Sequence, residues 1–334
     1  MVTQKDVSQR AGVNISTVSK VFNGSKDISV ETREKVLRIS HELNYIHKSK
    51  ADSNNLIGIL CPEIKSNYYA RFLTQIISDF EQEGYLPILG ISEFDYEQEQ
   101  FIVSEFHKRN VCGIICLTEN NQIEKDLLYH KSINSKPFLL IAHEITSQES
   151  DYLKVDIGLG ILKAIEHLIE LGHKEIGFIG DNQKCINNKK NVFIEILKKK
   201  NLVVDESFIK IGDERFEKGG YLRMKEILNA PKKPTAIIAA YDNIAIGTYK
   251  AIYEADFKVP EDISIVGMDD IMTAAFMPVS LTSITDHITE MADIASSVLV
   301  RKIKDKNFKM VQHTVIKPDL IVRSSTGIVP SSMP

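Results

Sequence analysis

No stretch of about 18 consecutive apolar residues occurs anywhere in the chain, which excludes a membrane-spanning helix of ordinary length. The opening residues, MVTQKDVSQR, lack the apolar segment of a secretory leader, so the chain is expected in the cytoplasm. Cysteine is scarce: there are four, Cys61, Cys112, Cys116 and Cys185, and no two form a CxxC pair. Cys112 and Cys116 come nearest to a metal cluster, with His107 and His143 close by in sequence. In an extended segment, however, residues four apart share a face, and buried free cysteine is the expected state, so no metal is assigned. Enzymatic fingerprints are missing too. Neither G-x-S-x-G, H-E-x-x-H nor G-x-x-x-x-G-K-[ST] occurs, and the nearest dinucleotide-type stretch, GLGILK, has Gly158 and Gly160 without a third glycine. Close helix packing explains Gly160 better. Neither catalysis nor a cofactor is expected.

What is present is a soluble composition, 43% hydrophobic and 26% charged, over 334 residues, enough for two or three domains. The net charge of −4 is unevenly spread: residues 1–50 hold nine Lys/Arg against five Asp/Glu, while the remainder holds 32 against 40. A small basic head on an acidic body is suited to meeting a polyanion with the head alone.

That head reads as three short helices. Thr3 caps the first, with Asp6 three residues on as a capping-box variant, and the helix runs to about Ala11. Gly12 permits a sharp turn. The second helix starts near Asn14 or Ile15 and ends around Phe22, where Asn23-Gly24 stops it. Ser29 caps the third, whose Val36, Leu37, Ile39 and Leu43 are expected to close a small core. If Val18, Val21 and Phe22 face inward, then Ile15, Ser16, Ser19 and Lys20 face outward. Short hydroxyls suit phosphate oxygens, and a protruding Lys or Ile suits base edges in a major groove. The second helix therefore reads as a DNA recognition helix.

The segments TQKDVSQRAGVNISTVSKVFNG and ISVETREKVLRISHELNY resemble the DNA-binding head of the lactose-repressor (LacI/GalR) family. The resemblance implies base contacts from Ile15, Ser16 and Lys20 and phosphate contacts from Thr3, Thr17, Ser19 and Asn23, with Asn14 at the helix entry. Lys20 stands where the family usually has arginine, so a single-point donor replaces a bidentate one. The family's hinge pattern of proline, asparagine, alanine-arginine and leucine forms a helix whose leucine wedges into the minor groove. Here His47, Lys48, Asp52 and Asn54 replace all but Ala51, and residues 46–55 read as a cationic-polar tether.

From Leu56 onward, apolar runs alternate with amphipathic helical segments. The runs are LIGILCP, LPILGIS, VCGIICLT, FLLIAH, YLKVD, EIGFIGD, FIKIG, TAIIAAY and SIVGMD. This alternation indicates parallel sheets covered on both faces, and about 270 residues of it indicate two Rossmann-like lobes with a ligand cleft between them. In such sheets ligands sit beyond the carboxyl ends of the strands. Those ends carry Ser66, Asn67, Tyr68 and Tyr69, then His143, Asp156, Asp181, Tyr241-Asp242 and Asp269-Asp270. Aromatic faces beside carboxylates suit a polyhydroxylated molecule. Asp181 reads as a helix cap and Asp269 as a ligand contact.

The body also resembles the family, through CPEIKSNYYA, VDIGLGILKAIEHLIELGHKEIGFIGD, PTAIIAAYDNIAIG, VPEDISIVGMDD, PVSLTSI and IKPDLIVRSST. The implied fold is a helix-turn-helix domain over 1–46, a linker over 47–57, and a periplasmic-binding-protein-like body over 58–330. Its lobes are expected at 58–156 with about 289–317, and at 157–288 with about 318–326. The implied effector contacts are Tyr68, Tyr69, Asp156, Asp242 and Asp269. Lys189 falls where the family has an arginine, and Phe216 near its stacking aromatic. The expected function is that of a metabolite-switched transcriptional regulator, a repressor of carbohydrate-utilisation genes binding a palindromic operator as a homodimer. The tail GIVPSSMP has no leucine heptads to build a tetramer. The rival reading is a cytoplasmic sugar-binding sensor without operator function, which salt-steep duplex binding would exclude.

Overall fold

The computed structural model describes residues 2–22, 25, 27–43, 45, 55–120, 136–142 and 150–331. The chain divides into two compact units, Met1–Asn55 and Leu56–Pro334.

In the first unit, helix α1 (Gln4–Ala11) begins at the capping box expected from the sequence. The Thr3 backbone N–H donates to the Asp6 carboxylate at 2.7 Å, and the Asp6 N–H returns to the Thr3 hydroxyl at 3.4 Å. Gly12 closes α1 at φ 64°, a left-handed conformation that a side chain would strain. Helix α2 (Ile15–Phe22) follows, and α3 (Val30–Glu42) starts at Ser29, whose hydroxyl accepts from the Thr32 N–H. Val7, Ala11, Val18, Val21, Val36 and Ile39 form the core, with Phe22 and Tyr45 meeting edge to face at 5.6 Å on its margin. Leu37 does not join them and is 46% exposed. The inward stripe of α3 runs through Val36, Ile39, Ser40 and Leu43 at helical spacing, which leaves Leu37 off its edge.

The second unit is built on two six-stranded sheets. The first contains β1 (Leu56–Cys61), β2 (Leu86–Ile91), β3 (Gly113–Leu117), β4 (Phe138–Ile141), β5 (Asp151–Val155) and β11 (His313–Ile316), in the order β11-β5-β4-β3-β1-β2. All its pairings are parallel. Helices α4 (Asn67–Gln82) and α5 (Tyr96–Lys108) lie between its strands in sequence.

The second sheet contains β6 (Ile176–Asp181), β7 (Ile209–Gly212), β8 (Ala236–Ala239), β9 (Ser264–Met268), β10 (Thr282–Thr285) and β12 (Asp319–Ile321). Its order is β12-β10-β9-β8-β6-β7, parallel except where β12 runs against β10. Helices α6 (Ile157–Glu170), α7 (Lys184–Lys199), α8 (Phe216–Leu228), α9 (Asp242–Glu254) and the short α10 (Met272–Ala275) belong to this half of the sequence. Helix α11 (Ile288–Lys304) returns to the first lobe, where Met291, Ala295 and Leu299 join the core of Ile57, Ile115 and Phe72.

Strands such as β3, β8 and β9 are buried along their whole length, as near-continuous apolar runs in covered parallel sheets must be. β2 lies at a sheet edge, and its Leu86 and Leu89 remain exposed. The chain passes between lobes three times, at 155–157, 285–288 and 316–319. Strands β10, β11 and β12 were not among the nine runs read as strands. They are short and half polar, and they complete sheets rather than nucleate them.

Helices α8 and α9 cross so closely that each needs a glycine. A Cβ on Gly220 would lie 2.0 Å from the Ile244 carbonyl oxygen, and one on Gly247 would lie 1.8 Å from that of Glu217. Gly247→Ala gains at most about 1 kcal/mol of helix propensity. Forcing the two backbones apart costs roughly 1–3 kcal/mol. The variant is therefore expected to lower the urea midpoint with an unchanged m-value; a midpoint at or above that of the parent chain would contradict this crossing.

Candidate functional sites in the head and in the inter-lobe cleft

Burial of Val18 and Val21 turns the opposite side of α2 to solvent. Ile15 is 43% exposed, an unusual position for isoleucine, and Asn14, Ser16 and Lys20 are exposed beside it. Thr17 and Ser19 are half-buried, and Thr3 is exposed at the start of α1. The Asn14 carboxamide oxygen accepts the Ser16 N–H at 3.3 Å, so Asn14 also supports the entry of α2. Asn23 and the linker residues His47, Lys48, Ala51, Asp52 and Asn54 lie outside the described residues.

The cleft of the body is a cavity of about 60 Å³ between loops at the carboxyl ends of the two sheets. The first lobe supplies Glu63, Ser66, Tyr68, Tyr69, Phe94 and Glu119. The second supplies Asp181, Gln183, Cys185, Ile186, Lys189, Arg215, Phe216, Tyr241 and Asp269, and Asp286 enters from the middle crossing. Ser66 caps α4 and sets Tyr68 and Tyr69 in its first turn, their rings 5.2 Å apart edge to face. The Tyr69 hydroxyl donates to Glu119 at 2.8 Å. Burial raises both tyrosine pKa values well above the ordinary, with neighbouring carboxylates adding to it.

Arg215 spans the cleft. Its two terminal nitrogens donate to the two oxygens of Glu63, each at 2.8 Å, and its Nε lies 3.5 Å from Asp181. The guanidinium lies 4.5 Å from the centre of the Phe216 ring and 5.3 Å from that of Phe94. Tyr241 donates to Asp181 at 2.6 Å and accepts the Phe216 N–H at 3.0 Å, fixing the turn that carries Arg215.

At the other end, Lys189 is 6% exposed and its ammonium donates to the Ala240 carbonyl at 3.1 Å. Burial alone would lower its pKa, but Asp269, Cys185, Asp286 and Glu119 outweigh that and hold it above the ordinary lysine value. Asp269 leaves β9 at φ 94°, a left-handed conformation rare for a residue with a side chain. At the rim, Arg71 of the first lobe donates to the Asp270 carbonyl at 2.9 Å.

Of the eight residues expected to bind an effector, Tyr68, Tyr69, Lys189, Phe216 and Asp269 line this cavity. Asp242 does not. It is fully buried, accepting from the Ser283 hydroxyl at 2.7 Å and the Ile271 N–H at 2.8 Å, so it anchors the loop after β9 from beneath. Asp156 lies outside the cavity as well. It caps α6 by accepting the Leu159 N–H at 3.0 Å and faces a neighbouring cavity of about 350 Å³ with Lys154, Asn188 and Val315. His143 lies outside the described residues. Asp181, read as a helix cap, does accept the Gln183 N–H at 3.0 Å, but it also lines the cavity beside Arg215.

A model of bacterial regulatory proteins of the lacI family matches residues 3–48, and one of the periplasmic binding protein-like domain matches 165–326. By its head the chain thus matches the lacI family, and by much of its body the periplasmic binding protein-like domain. Among its relatives are the ribose operon repressor of Haemophilus influenzae, 29% identical over 97% of this chain and 98% of that one, and the ribose operon repressor of Escherichia coli, 29% identical over 97% and 100%. The HTH-type transcriptional repressor PurR of Haemophilus influenzae is also 29% identical, over 97% and 98%. A lac repressor dimer bound to operator and an anti-inducer superposes with a TM-score of 0.79 at 23% identity, over 98% of this chain and 99% of that one. A LacI family regulator from Enterococcus faecium with bound ribose gives 0.68 at 23%, over 82% and 99%. The lac repressor dimer shares the fold along almost the whole chain, and the ribose-bound regulator shares it over 82% of the chain.

Cavity-lining residues of the body that were not expected from the sequence include Glu63, Phe94, Glu119, Arg215 and Asp286. Glu119 lies two residues past β3, where the strand-end rule finds it once the end of the run VCGIICLT is read as well. Asp286 follows β10, which was not recognised as a strand. Behind the cavity, Glu99 is fully buried and joins two of its loops. Thr118 donates to its two oxygens at 2.8 and 3.0 Å, Asn120 donates at 3.1 Å, and the Ser92 hydroxyl lies at 3.5 Å.

Burial pushes the Glu99 pKa from 4.5 up to about 7. The folded chain thus holds this proton more tightly than the unfolded chain does. Its contribution to stability is complete below about pH 4.5 and is lost as pH rises to about 7, a change on the order of 3 kcal/mol. Glu99→Gln is expected to flatten the fall in melting temperature between pH 5.5 and pH 8. Equal slopes in the two proteins would show that Glu99 is not the group titrating.

Proposed function

We propose that this protein is a ligand-responsive transcriptional repressor of carbohydrate-utilisation genes. A homodimer reads a palindromic operator through α2, and a small polyhydroxylated effector in the inter-lobe cleft changes that reading. The observation that carries the proposal is the pairing, in one chain, of an outward polar helix with a cleft of aromatic and carboxylate side chains. Relatives named as ribose operon repressors and the ribose-bound neighbour support the sugar class of effector. The neighbour bound to operator as a dimer supports the mode of DNA reading.

In the head, the outward hydroxyls of Ser16, Thr17 and Ser19 and the capped start of α1 at Thr3 suit phosphate oxygens. Ile15 and Lys20 reach for base edges. An eight-residue helix reads few bases, so two heads related by a two-fold axis are needed for specificity. Large apolar side chains left exposed on the second lobe, among them Leu222, Tyr253, Met272 and Phe276, supply surface that a second copy would cover. Carboxylates accept sugar hydroxyls, and the rings of Tyr68, Tyr69 and Phe216 cover the C–H faces. The effector acts by favouring one lobe arrangement over another, and it shifts DNA affinity only by the difference between its affinities for the two. The role is regulatory and cytoplasmic, without catalysis.

Lys20→Ala is expected to weaken binding to an operator fragment by about tenfold or more in fluorescence anisotropy, while keeping the ligand-induced melting shift of the body. Asp269→Ala is expected to do the reverse. Raising salt from about 50 to 200 mM should reduce the parent chain's affinity by roughly 10³-fold or more. DNA binding indifferent to both Lys20 and salt would overturn the proposal.

A further inference from the structure

A small-molecule site commonly encloses about 300–1,000 Å³. The aromatic part of the cleft, at about 60 Å³, falls far short of that, whereas the neighbouring cavity, at about 350 Å³, does not. The two meet along Cys185 and Lys189, which line both. Cys185, Asn188, Lys189 and Val192 recur at helical spacing, so one stripe of α7 runs from the smaller cavity into the larger. The larger cavity also lies between the lobes: Lys154 and Val315 reach it from the first, and the α7 stripe from the second.

The walls of the larger cavity are aliphatic, from Val155, Ile157, Val192 and Val315. Among them stand three polar side chains with capacity to spare. The Lys154 ammonium has only the Tyr152 ring as a partner among the described residues, 5.8 Å from its centroid. The Asn188 carboxamide is half-buried and makes no hydrogen bond among the described residues. Asp156 spends its Oδ1 on the Leu159 N–H. A donor, an amide that both donates and accepts, and an acceptor above aliphatic surface meet the hydroxyls and C–H faces of a sugar ring.

We propose that the effector is a disaccharide. One ring lies against Tyr68, Tyr69 and Phe216; the other lies over Ile157 and Val192, with its hydroxyls on Lys154, Asp156 and Asn188. This inference rests on the sugar-class reading above and sharpens it from one ring to two. A single sugar in the aromatic cavity leaves the larger one to water. A phosphate on such a sugar would engage Lys154 but leave the aliphatic walls uncovered. Asp156 and Ile157 belong to the crossing at 155–157, so the second ring touches the chain where it passes between lobes.

The test is calorimetry on the full chain with a panel of disaccharides, each beside its constituent monosaccharides, their methyl glycosides and their phosphates. The best disaccharide is expected to bind about tenfold or more tighter than any of its one-ring counterparts. In Val192→Phe, which fills the larger cavity, the ratio of disaccharide to monosaccharide affinity is expected to fall about tenfold. Asn188→Ala serves the same purpose if the first variant melts abnormally. A monosaccharide, methyl glycoside or sugar phosphate binding as tightly as every disaccharide would overturn the second ring while leaving the sugar reading intact. A ratio unmoved in both variants would overturn its placement against α7. Binding by no member of the panel would overturn both readings.

Discussion

The ion pair between Glu63 and Arg215 is the constraint on which the geometry of the body turns. Two sheets joined by three short crossings are free to hinge, and side chains across the cleft decide how far they close. The Glu63 side chain is 6% exposed and that of Arg215 24%, so much of the Coulomb attraction is set against lost hydration. A pair of this kind adds little net stability, yet removing one partner strands the other. Closure is therefore specific in geometry and modest in energy. A body that is to respond to a metabolite needs that combination, because a ligand shifts an equilibrium only by its differential affinity.

Around the pair, charge is arranged in layers. Tyr241 holds Asp181 toward Arg215, and the aromatic rings of Phe94 and Phe216 flank the guanidinium from opposite lobes. Deeper in, Asp242 anchors the loop that presents Asp269, and Glu99 ties the loops that present Phe94 and Glu119. Both of these inner carboxylates are raised in pKa, chiefly by burial. Neither touches the cavity, but both fix side chains that do.

Much of this was legible in the sequence, for identifiable reasons. Thr3, Asp6, Gly12 and Ser29 are local signals, fixed by hydrogen bonds and backbone angles within four residues, and they appear where expected. Lys189 and Asp269 were found by combining strand ends with resemblance. Asp242 was misplaced because a strand-end position does not reveal which way a side chain turns. Here Ser283, from a strand not foreseen, draws it inward. Arg215 was overlooked because its partner, Glu63, lies 152 residues away in the other lobe, and no local pattern encodes that meeting. Leu37 failed for a smaller reason, a helix phase displaced by one residue.

The central claim is that the state of the cleft governs how the helix-turn-helix head meets DNA. It is tested most directly by comparing the operator affinity of the ligand-free parent chain with that of Arg215→Ala, once both are shown to melt cooperatively. No residue of the head is altered, so a change arises only if the body's closure is coupled to DNA binding. The account predicts affinities that differ by about tenfold or more, equivalent to at least about 1.4 kcal/mol of coupling. Identical affinities, in a variant whose cleft has demonstrably opened by small-angle scattering, would contradict it.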